Sequence, residues 1–439
     1  MKNYKVALIS LGCAKNLVNS EQMLYLLDEA GMEIVPTPEE AEVGIVNTCG
    51  FIDSAKMEAI ENILRLGELK KAGSLKKIIV TGCLSERYRQ ELQKEMPEID
   101  GMIGVANYGD IVQAVCAVME DGAYSCYGDK NGPVEELGRV ISTGPAWGYL
   151  RIAEGCDNCC SYCIIPKIRG RFRSRSMEDV LAEARALAAS GVQELIVIAQ
   201  DITRYGLDLY GRRSLDTLLE ELCRVDGIRW IRLHYLYPDE TDDSLIDVIA
   251  REPKILKYLD LPIQHISDKV LKLMNRRGTG DEIRALFKKL RERIPGLVLR
   301  TSLIAGLPGE GEAEFEELCE FLRQAQIERA GVFPYSPEEG TAACSMPRAD
   351  EETAQRRAAL IGEIQEQVMQ AFDERRLGTT ETVLCCGEDA ETGCLWGRSY
   401  AESPDIDGRI LFSGDAQPGA FVQVLLTGIM DGELYGEQQ

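Results

Sequence analysis

Three closely spaced cysteines indicate a metal centre. Cys156, Cys160 and Cys163 have the spacing CxxxCxxC within the segment EGCDNCCSYC. Thiolates this close must surround one compact soft-metal centre, and three of them leave one iron of a four-iron cluster open to a substrate or cofactor. The alternatives are chance clustering or a zinc loop, since Cys159 also allows two CxxC pairs, although zinc needs a fourth ligand nearby.

Three further cysteines are spread along the first part of the chain. Cys13, Cys49 and Cys83 are separated by 36 and 34 residues. Since one βα unit takes about 30 residues, each cysteine occupies the same place in its unit, after a strand and before a helix. In a parallel sheet these places meet at the carboxyl edge, where ligands bind. The alternative is three small apolar residues at strand ends. The other nine cysteines share no placement, and we expect them to be structural.

Length, composition and charge limit the kind of protein in which these cysteines can lie. The 439 residues suggest about three domains. A net charge of −23 disfavours nucleic acid as the partner. The sequence shows no long apolar run and no signal-peptide pattern, so we expect a cytoplasmic protein that does not enter a membrane and whose cysteines are not mainly in disulfides. Only two histidines are present, which argues against a zinc or iron site built on imidazole.

The elements that must position the cysteines follow from the hydrophobic pattern. An N-terminal doubly wound α/β domain is predicted over 1–120, and a linker without regular structure over 121–144. Its predicted strands are Lys5–Leu11, Val43–Asn47 and Lys77–Thr81, and its predicted helices are Val18–Ala30, Ser54–Lys71 and Arg87–Met96.

Six further strands predict an open, partial (βα)6 barrel over 145–378, with its active face at the carboxyl ends of the strands. The predicted strands are Gly148–Ala153, Glu194–Ala199, Trp230–Tyr235, Tyr258–Leu261, Val298–Ile304 and Arg329–Phe333. A charged helix, Asp350–Leu377, leads to a small β-barrel over 379–439. That last segment has two arginines against eleven acidic residues, a net charge of −9.

These motifs resemble those of a known enzyme family. CxxxCxxC after a barrel strand resembles the radical S-adenosylmethionine (SAM) enzymes, and the upstream triad with a terminal TRAM-like barrel resembles the methylthiotransferases. The resemblance extends over almost the whole chain. The segments that resemble the RimO type are SLGCAKNLVNSE, NTCGFI, TGCLSERY, CSYCIIPKIRGRFRSR, DLPIQHISDKVLKLMNRRG and VFPYSPEEGTAA. RimO-type enzymes methylthiolate an aspartate of the ribosomal protein at the decoding centre.

The resemblance implies two 4Fe-4S clusters and SAM as cofactors. Cys156, Cys160 and Cys163 would hold the cluster that binds SAM, with Tyr162 near the adenine. The triad at positions 13, 49 and 83 would hold an auxiliary cluster that carries the sulfur. Gln200 and Asp201, after the second barrel strand, and Gly306, after the fifth, would contact SAM. Gly311 stands where the family often carries threonine.

Two further features lie outside the cysteine motifs. Arg169, Arg171, Arg173 and Arg175 form a dense basic patch, which predicts either bidentate contacts to carboxylates or solvated ion pairs. His265 follows a strand and is expected to have a hydrogen-bonded structural role.

The expected partners are a basic small-subunit ribosomal protein as substrate and an electron donor such as a flavodoxin or ferredoxin. The acidic terminal barrel, with carboxylates such as Glu388, Asp389 and Glu391 expected at its surface, suits a basic protein. One alternative is a MiaB-like enzyme that modifies adenosine in tRNA, but that type reads LPVQSGS where this chain reads LPIQHIS. Another is a non-catalytic iron–sulfur protein for electron transfer or cluster delivery.

Overall fold

The computed structural model describes residues 3–439, which fold as two compact units. The first unit contains the chain up to Ser142 together with Ala153–Arg175 and Ser336–Cys344. The second contains Thr143–Ile152, Ser176–Tyr335 and Ser345–Gln439. Within the described part of the chain, no helix has both the length and the apolar character needed to cross a membrane.

A parallel sheet forms the centre of the first unit. Its strands are β1 (Lys5–Ser10), β2 (Glu33–Ile34), β3 (Val43–Thr48), β4 (Lys77–Gly82), β5 (Gly101–Ile103) and β6 (Tyr124–Cys126), in the spatial order β2-β1-β3-β4-β5-β6. The helices between them are α1 (Ala14–Glu29), α2 (Asp53–Ala72), α3 (Cys83–Arg87), α4 (Arg89–Glu95) and α5 (Ile111–Met119).

The side chains on both faces of this sheet are buried. Val46 on β3 packs in one core with Ile63 and Leu66 of α2. Its neighbour Ile45 faces the other core, which contains Met23 of α1. Successive side chains of a strand point to opposite faces, so helices on both sides are needed to cover them. The predicted doubly wound α/β arrangement is confirmed.

Some local predictions for this unit were wrong. The predicted linker contains strand β6, whose three residues pair with β5 and are too few to show a period in the sequence. Helix α1 begins at Ala14, four residues before the predicted start, because Cys13 already serves as its N-cap. The predicted helix Arg87–Met96 is instead two short helices, α3 and α4, which meet at Tyr88, where ψ is 40°.

The remaining strands before the C-terminal segment are β7 (Trp147–Arg151), β8 (Ala153–Glu154), β9 (Arg173–Ser174), β10 (Glu194–Ile198), β11 (Trp230–Leu233), β12 (Ile255–Asp260), β13 (Val298–Ala305) and β14 (Arg329–Pro334). Strands β8 and β9 form an antiparallel pair in the first unit. The second unit contains a six-stranded parallel sheet in the order β14-β13-β12-β11-β10-β7. The sheet is open, as predicted for a partial barrel.

The helices of this region are α6 (Ile165–Arg169), α7 (Met177–Ala189), α8 (Leu207–Tyr210), α9 (Leu215–Cys223), α10 (Asp243–Arg251), α11 (Asp268–Leu273), α12 (Gly280–Arg293), α13 (Glu312–Ala325) and α14 (Glu351–Arg376). Helix α14 is the predicted long charged helix. Its N-cap Asp350 accepts a hydrogen bond from the backbone N–H of Thr353, 2.7 Å away, which fixes the start of the helix.

The C-terminal segment is a closed five-stranded barrel, as predicted. Its strands are β15 (Thr380–Glu388), β16 (Leu395–Arg398), β17 (Ile410–Ser413), β18 (Phe421–Met430) and β19 (Glu433–Gln438), in the order β15-β16-β17-β19-β18. Buried ion pairs join this barrel to the parallel sheet within the second unit. Arg398 of β16 donates to Glu194 of β10 at 2.8 Å, and Arg329 of β14 donates to Glu402 at 3.1 Å.

The eleven acidic residues of this segment divide into two groups. Five form ion pairs with arginines: Glu381, Asp389, Glu402, Asp407 and Glu433. Six are exposed: Glu388, Glu391, Asp405, Asp415, Asp431 and Glu437. The expectation that Asp389 is exposed was wrong, because its carboxylate is turned inward to accept hydrogen bonds from Thr392 and Arg409.

Candidate functional site

The first cysteine triad lies at the carboxyl ends of three adjacent strands. Cys13 follows β1 and is the N-cap of α1, Cys49 follows β3, and Cys83 follows β4 as the first residue of α3. Strand β3 pairs with both β1 and β4 in parallel. The sheet order therefore places the three cysteines side by side at one edge, as the spacing predicted.

Close backbone packing brings these three loops together. A Cβ atom added to Gly12 would lie 2.6 Å from the Cβ of Cys49 and 3.0 Å from its Sγ. Gly12 also has a φ of +88°, which favours glycine. The backbone of Gly50 approaches α3 so closely that an added Cβ would lie 3.0 Å from the carbonyl carbon of Cys83. The loops can therefore hold the triad only with small residues beside the cysteines.

The three thiols influence each other's ionisation. Burial, and then the negative charge of Cys83, raise the pKa of Cys49 to about 12. Burial also raises the pKa of Cys83, although Arg169 opposes the change. For Cys13 burial acts in the same direction, but the positive charges of Lys15 and Arg169 outweigh it and leave its pKa below the usual value. Cys13 is thus the thiol most readily present as a thiolate.

A buried polar network surrounds the triad. Arg169, which is only 2% exposed, donates from Nη2 to the Sγ of Cys83 at 3.4 Å and to Oδ1 of Asn16 at 3.1 Å. Its Nη1 donates to Oδ1 of Asn19 at 3.1 Å and to Oε2 of Glu154 at 3.3 Å. Sequence reasoning missed both asparagines. Their spacing of three on α1, directly after Cys13, was the available signal, because it places both on one helix face.

The second triad lies on the loop between β8 and α6, in the first unit. Cys156, Cys160 and Cys163 are half-buried, and the backbone N–H of Cys163 donates to the carbonyl of Cys160 at 2.9 Å. Cys159 is exposed and has a φ of 52°. Cys13, a predicted ligand of the other triad, is exposed as well, so the choice between the CxxxCxxC set and one containing Cys159 stays a prediction.

Apolar packing connects the two cysteine regions. Ile164, directly after Cys163, forms a core cluster with Ile168 and Cys83, against which Phe51 and Val105 pack. Both triads therefore belong to one packed region of the first unit. Apolar side chains beside thiolate ligands also reduce the access of water.

The donor set fits iron–sulfur clusters. Within residues 3–439, no group of three His, Cys, Asp or Glu side chains is arranged to hold a single metal ion. A four-iron cluster is a larger group in which each thiolate binds a different iron, so its three sulfurs need not converge on one point. Three cysteines on neighbouring loops, with the positive charge of Arg169 beside Cys83, match a negatively charged cluster of this kind.

The residues predicted to contact SAM lie in both units. Tyr162 is half-buried on the cysteine loop of the first unit, whereas Gln200, Asp201 and Gly306 lie beyond β10 and β13 in the second. Asp201 is buried and accepts hydrogen bonds from the backbone N–H of Thr203, at 3.0 Å, and from its hydroxyl. Their contact with SAM stays a prediction.

Gly306 also has a structural requirement of its own. Its φ is +81°, and an added Cβ would lie 2.5 Å from the Cβ of Ala354 on α14. Both carboxylate oxygens of Glu310 accept from its backbone N–H at 2.9 Å. Packing and backbone conformation are therefore sufficient reasons for a glycine at this position.

The basic patch separates into different environments. Arg169 lies in the cysteine network, and Arg175 is buried and paired with Glu136, so solvated ion pairs do not describe these two. Arg173 donates to the backbone carbonyls of Arg169 and Arg171. His265 is buried, and its Nδ1 accepts from the backbone N–H of Ser267 at 3.0 Å, which fits the expected structural role.

Comparison with known proteins agrees with this arrangement. Residues 5–104 match the model of an uncharacterised protein family, UPF0004, residues 150–322 match the radical SAM superfamily, and residues 377–438 match the TRAM domain. The fold is similar to that of the radical SAM methyltransferase TsrM from Kitasatospora setae, with a TM-score of 0.58 over 78% of this chain and 77% of that one. Sequence identity to that structure is 14%, so the similarity concerns the fold.

Curated relatives match along the whole length. The chain is 48% identical to "Ribosomal protein uS12 methylthiotransferase RimO" of Pelotomaculum thermopropionicum, over 99% of both chains. It is also 48% identical to the protein of the same name from Geobacter sulfurreducens, over 99% of this chain and 98% of that one. With both cysteine regions, the parallel sheets and the terminal barrel accounted for, this chain belongs to the RimO family of radical SAM methylthiotransferases.

Proposed function

We propose that this protein adds a methylthio group to the β-carbon of an aspartate in the small-subunit ribosomal protein uS12. The observation that carries the proposal is the presence of two separate cysteine triads in one packed unit of a RimO-family chain. A radical SAM enzyme needs one four-iron cluster with an open iron. The other cysteine triad supports a second cluster. A reaction that also transfers sulfur to the substrate requires such a second cluster.

The six cysteines would hold the two clusters: Cys13, Cys49, Cys83, Cys156, Cys160 and Cys163. When bound, the clusters and SAM supply the radical that removes a hydrogen atom from the substrate carbon and the methylthio group that replaces it. An external one-electron donor, such as a flavodoxin or ferredoxin, would provide the reducing electron. Because its substrate is a ribosomal protein, we place the activity in the cytoplasm.

This chain's own residues prepare the auxiliary site in three ways. Lys15 and Arg169 favour the thiolate form of Cys13, which is the form that binds iron. Gly12 lets the first loop pack directly on Cys49. Ile164 and its apolar neighbours cover the side of Cys83 and keep water away from it. Each contribution comes from the polypeptide and can be tested by substitution.

The substrate class is supported by charge. The six exposed carboxylates of the terminal barrel give it a negative surface, which attracts a basic protein and repels the phosphates of RNA. Charge of this kind increases the rate of encounter more than the final affinity. The same surface therefore disfavours the tRNA-modifying alternative.

The test is anaerobic reconstitution with iron and sulfide, followed by incubation with SAM, a reductant and either uS12 or tRNA. Mass analysis should find a methylthio group in place of one hydrogen on uS12 and an unmodified tRNA. About eight irons per chain are expected, from two four-iron clusters. Modification of the tRNA and not of uS12 would replace this proposal with the MiaB-like one.

A triple variant tests whether the two triads have separate roles. Replacing Cys13, Cys49 and Cys83 together by Ala should leave about four irons, still permit cleavage of SAM, and abolish methylthio transfer. The matched control replaces Cys116 and Cys126, which lie in the same unit outside both triads, and should keep about eight irons. Loss of SAM cleavage in a folded triple variant would contradict separate roles.

A further inference from the structure

Arg169 occupies the centre of the buried network beside the auxiliary site. Its guanidinium contacts the Sγ of Cys83, Oδ1 of both Asn16 and Asn19, and Oε2 of Glu154, at 3.1 to 3.4 Å. The arginine remains charged in a protein and donates in a fixed fork, so it can orient several acceptors at once. Cys83 is therefore held by a charged donor from outside its own loop.

The position of Arg169 in the chain connects the two cysteine triads. It is the last residue of α6, six residues after Cys163, and Glu154 lies two residues before Cys156. The ion pair between Arg169 and Glu154 therefore joins the two ends of the segment that carries the second triad. The same arginine donates to a cysteine of the first triad. One side chain thus contacts Cys83 and fixes the loop of Cys156, Cys160 and Cys163.

We propose that Arg169 is a positioning residue that raises the reduction potential of the auxiliary cluster through its hydrogen bond and charge at the Sγ of Cys83. The inference rests on the proposed function, since it requires Cys83 to be a cluster ligand. Hydrogen bonds to the sulfurs and the net charge near the cluster are among the quantities that set such potentials. A fixed positive charge stabilises the cluster form that has gained an electron, so removal of Arg169 lowers the potential.

Glu154 determines how this can be tested. Truncation of Arg169 alone leaves the buried carboxylate of Glu154 without this partner, and an unpaired buried charge threatens folding. The double variant Glu154→Gln, Arg169→Met avoids that penalty; it removes one positive and one negative charge, so the shift that it shows reports mainly the lost hydrogen bond at the Sγ of Cys83. Arg169→Lys keeps the charge but loses the fork geometry, and should retain part of the effect.

The measurement is a redox titration followed by electron paramagnetic resonance. The parent for all variants carries Cys156→Ala, Cys160→Ala and Cys163→Ala, so that only the auxiliary cluster remains. In the double variant we expect the ratio of reduced to oxidised cluster at a fixed potential to fall about tenfold, which is about 59 mV for one electron. Arg169→Lys should lie between the double variant and the parent.

A second buried ion pair in the same unit provides the matched control. Arg139 donates to Glu21 at 2.6 Å, and Glu21 also accepts from Ser142. The variant Glu21→Gln, Arg139→Met removes a similar pair and should leave the midpoint potential at the parent value. A lowered potential in this control equal to that of the test variant would overturn the assignment to Arg169.

The outcomes separate this inference from the proposed function. If the parent binds no iron, Cys83 is not a cluster ligand and both proposals fail. If the parent binds about four irons and the Glu154–Arg169 double variant has the same potential, the proposed function stands and the role of Arg169 is refuted. Loss of iron from that variant with a native circular dichroism spectrum would also refute tuning, because it would show that Arg169 is needed for assembly.

Discussion

Glu402 tests how much buried ion pairs contribute to the attachment of the terminal barrel to the rest of the second unit. Its side chain is 2% exposed and accepts from Arg329 at 3.1 Å and from Arg376 at 2.5 Å. Burial raises the pKa of this carboxyl, but the two arginines outweigh burial and lower the pKa to about 2. Glu402→Gln imitates the protonated form and keeps nearly the same shape, so it isolates the contribution of the charge.

The size of the effect follows from the pKa. A change from 4.5 in the unfolded chain to about 2 in the folded one corresponds to about 3 kcal/mol of stability at neutral pH. Because the folded pKa is lowered, this contribution is fully present well above pH 4.5 and is lost as the pH falls toward 2. The difference between wild type and Glu402→Gln should therefore shrink by roughly 1 kcal/mol between pH 7 and pH 4.

Urea unfolding followed by tryptophan fluorescence measures this difference. All three tryptophans, Trp147, Trp230 and Trp396, lie in the second unit, as does Glu402, while all six predicted cluster ligands lie in the first. Glu388→Gln, which changes an exposed carboxylate of the same barrel, is the control and should alter stability by less than about 0.5 kcal/mol. A loss of less than about 1 kcal/mol for Glu402→Gln at pH 7, or one that does not vary with pH, would refute the reasoning.

Three further predictions concern the cysteine loop, a helix cap and the substrate surface. Cys160→Ala should lose about four of eight irons and the cleavage of SAM, while Cys159→Ala keeps both; the reverse result would change the ligand assignment. Gly311→Thr should raise the free energy of unfolding by about 0.5 kcal/mol, measured in urea, because the backbone is extended and an added Cβ meets only Oε2 of Glu314, at 2.9 Å, which is the mobile end of a side chain. Reversing Glu388 and Glu391 to Lys should slow association with uS12 about tenfold at low salt and flatten its salt dependence, measured by surface plasmon resonance.

A matched charge reversal outside the barrel is the control for the measurement of association with uS12. Glu363 and Glu366 are exposed on α14, outside the barrel strands. Changing both to Lys alters the net charge by the same amount without touching the barrel surface. Equal slowing in this control would show that total charge, and not the barrel surface, governs the encounter.

The sequence was sufficient to place the cysteines but not their surroundings. Cys13, Cys49 and Cys83 could be assigned to one edge because the length of a βα unit and the parallel order of strands determine where each unit ends. The network of Asn16, Asn19 and Arg169 could not be derived in the same way. Arg169 is 153 and 150 residues away from the two asparagines in the chain, and their contact depends on tertiary packing that no local period records.

Net charge was the weakest of the sequence arguments, and the structure shows why. The value of −9 counts every carboxylate of the terminal segment alike, although Glu381 and Glu402 are neutralised by Arg376, which lies outside the segment. Such buried ion pairs attach the barrel to the rest of the second unit. They contribute little to the electrostatic potential at the surface that an approaching protein experiences. The six exposed carboxylates set that field. The docking experiment therefore changes Glu388 and Glu391 and leaves Asp389 in place, since its reversal would break the pair with Arg409 and disturb the turn before β16.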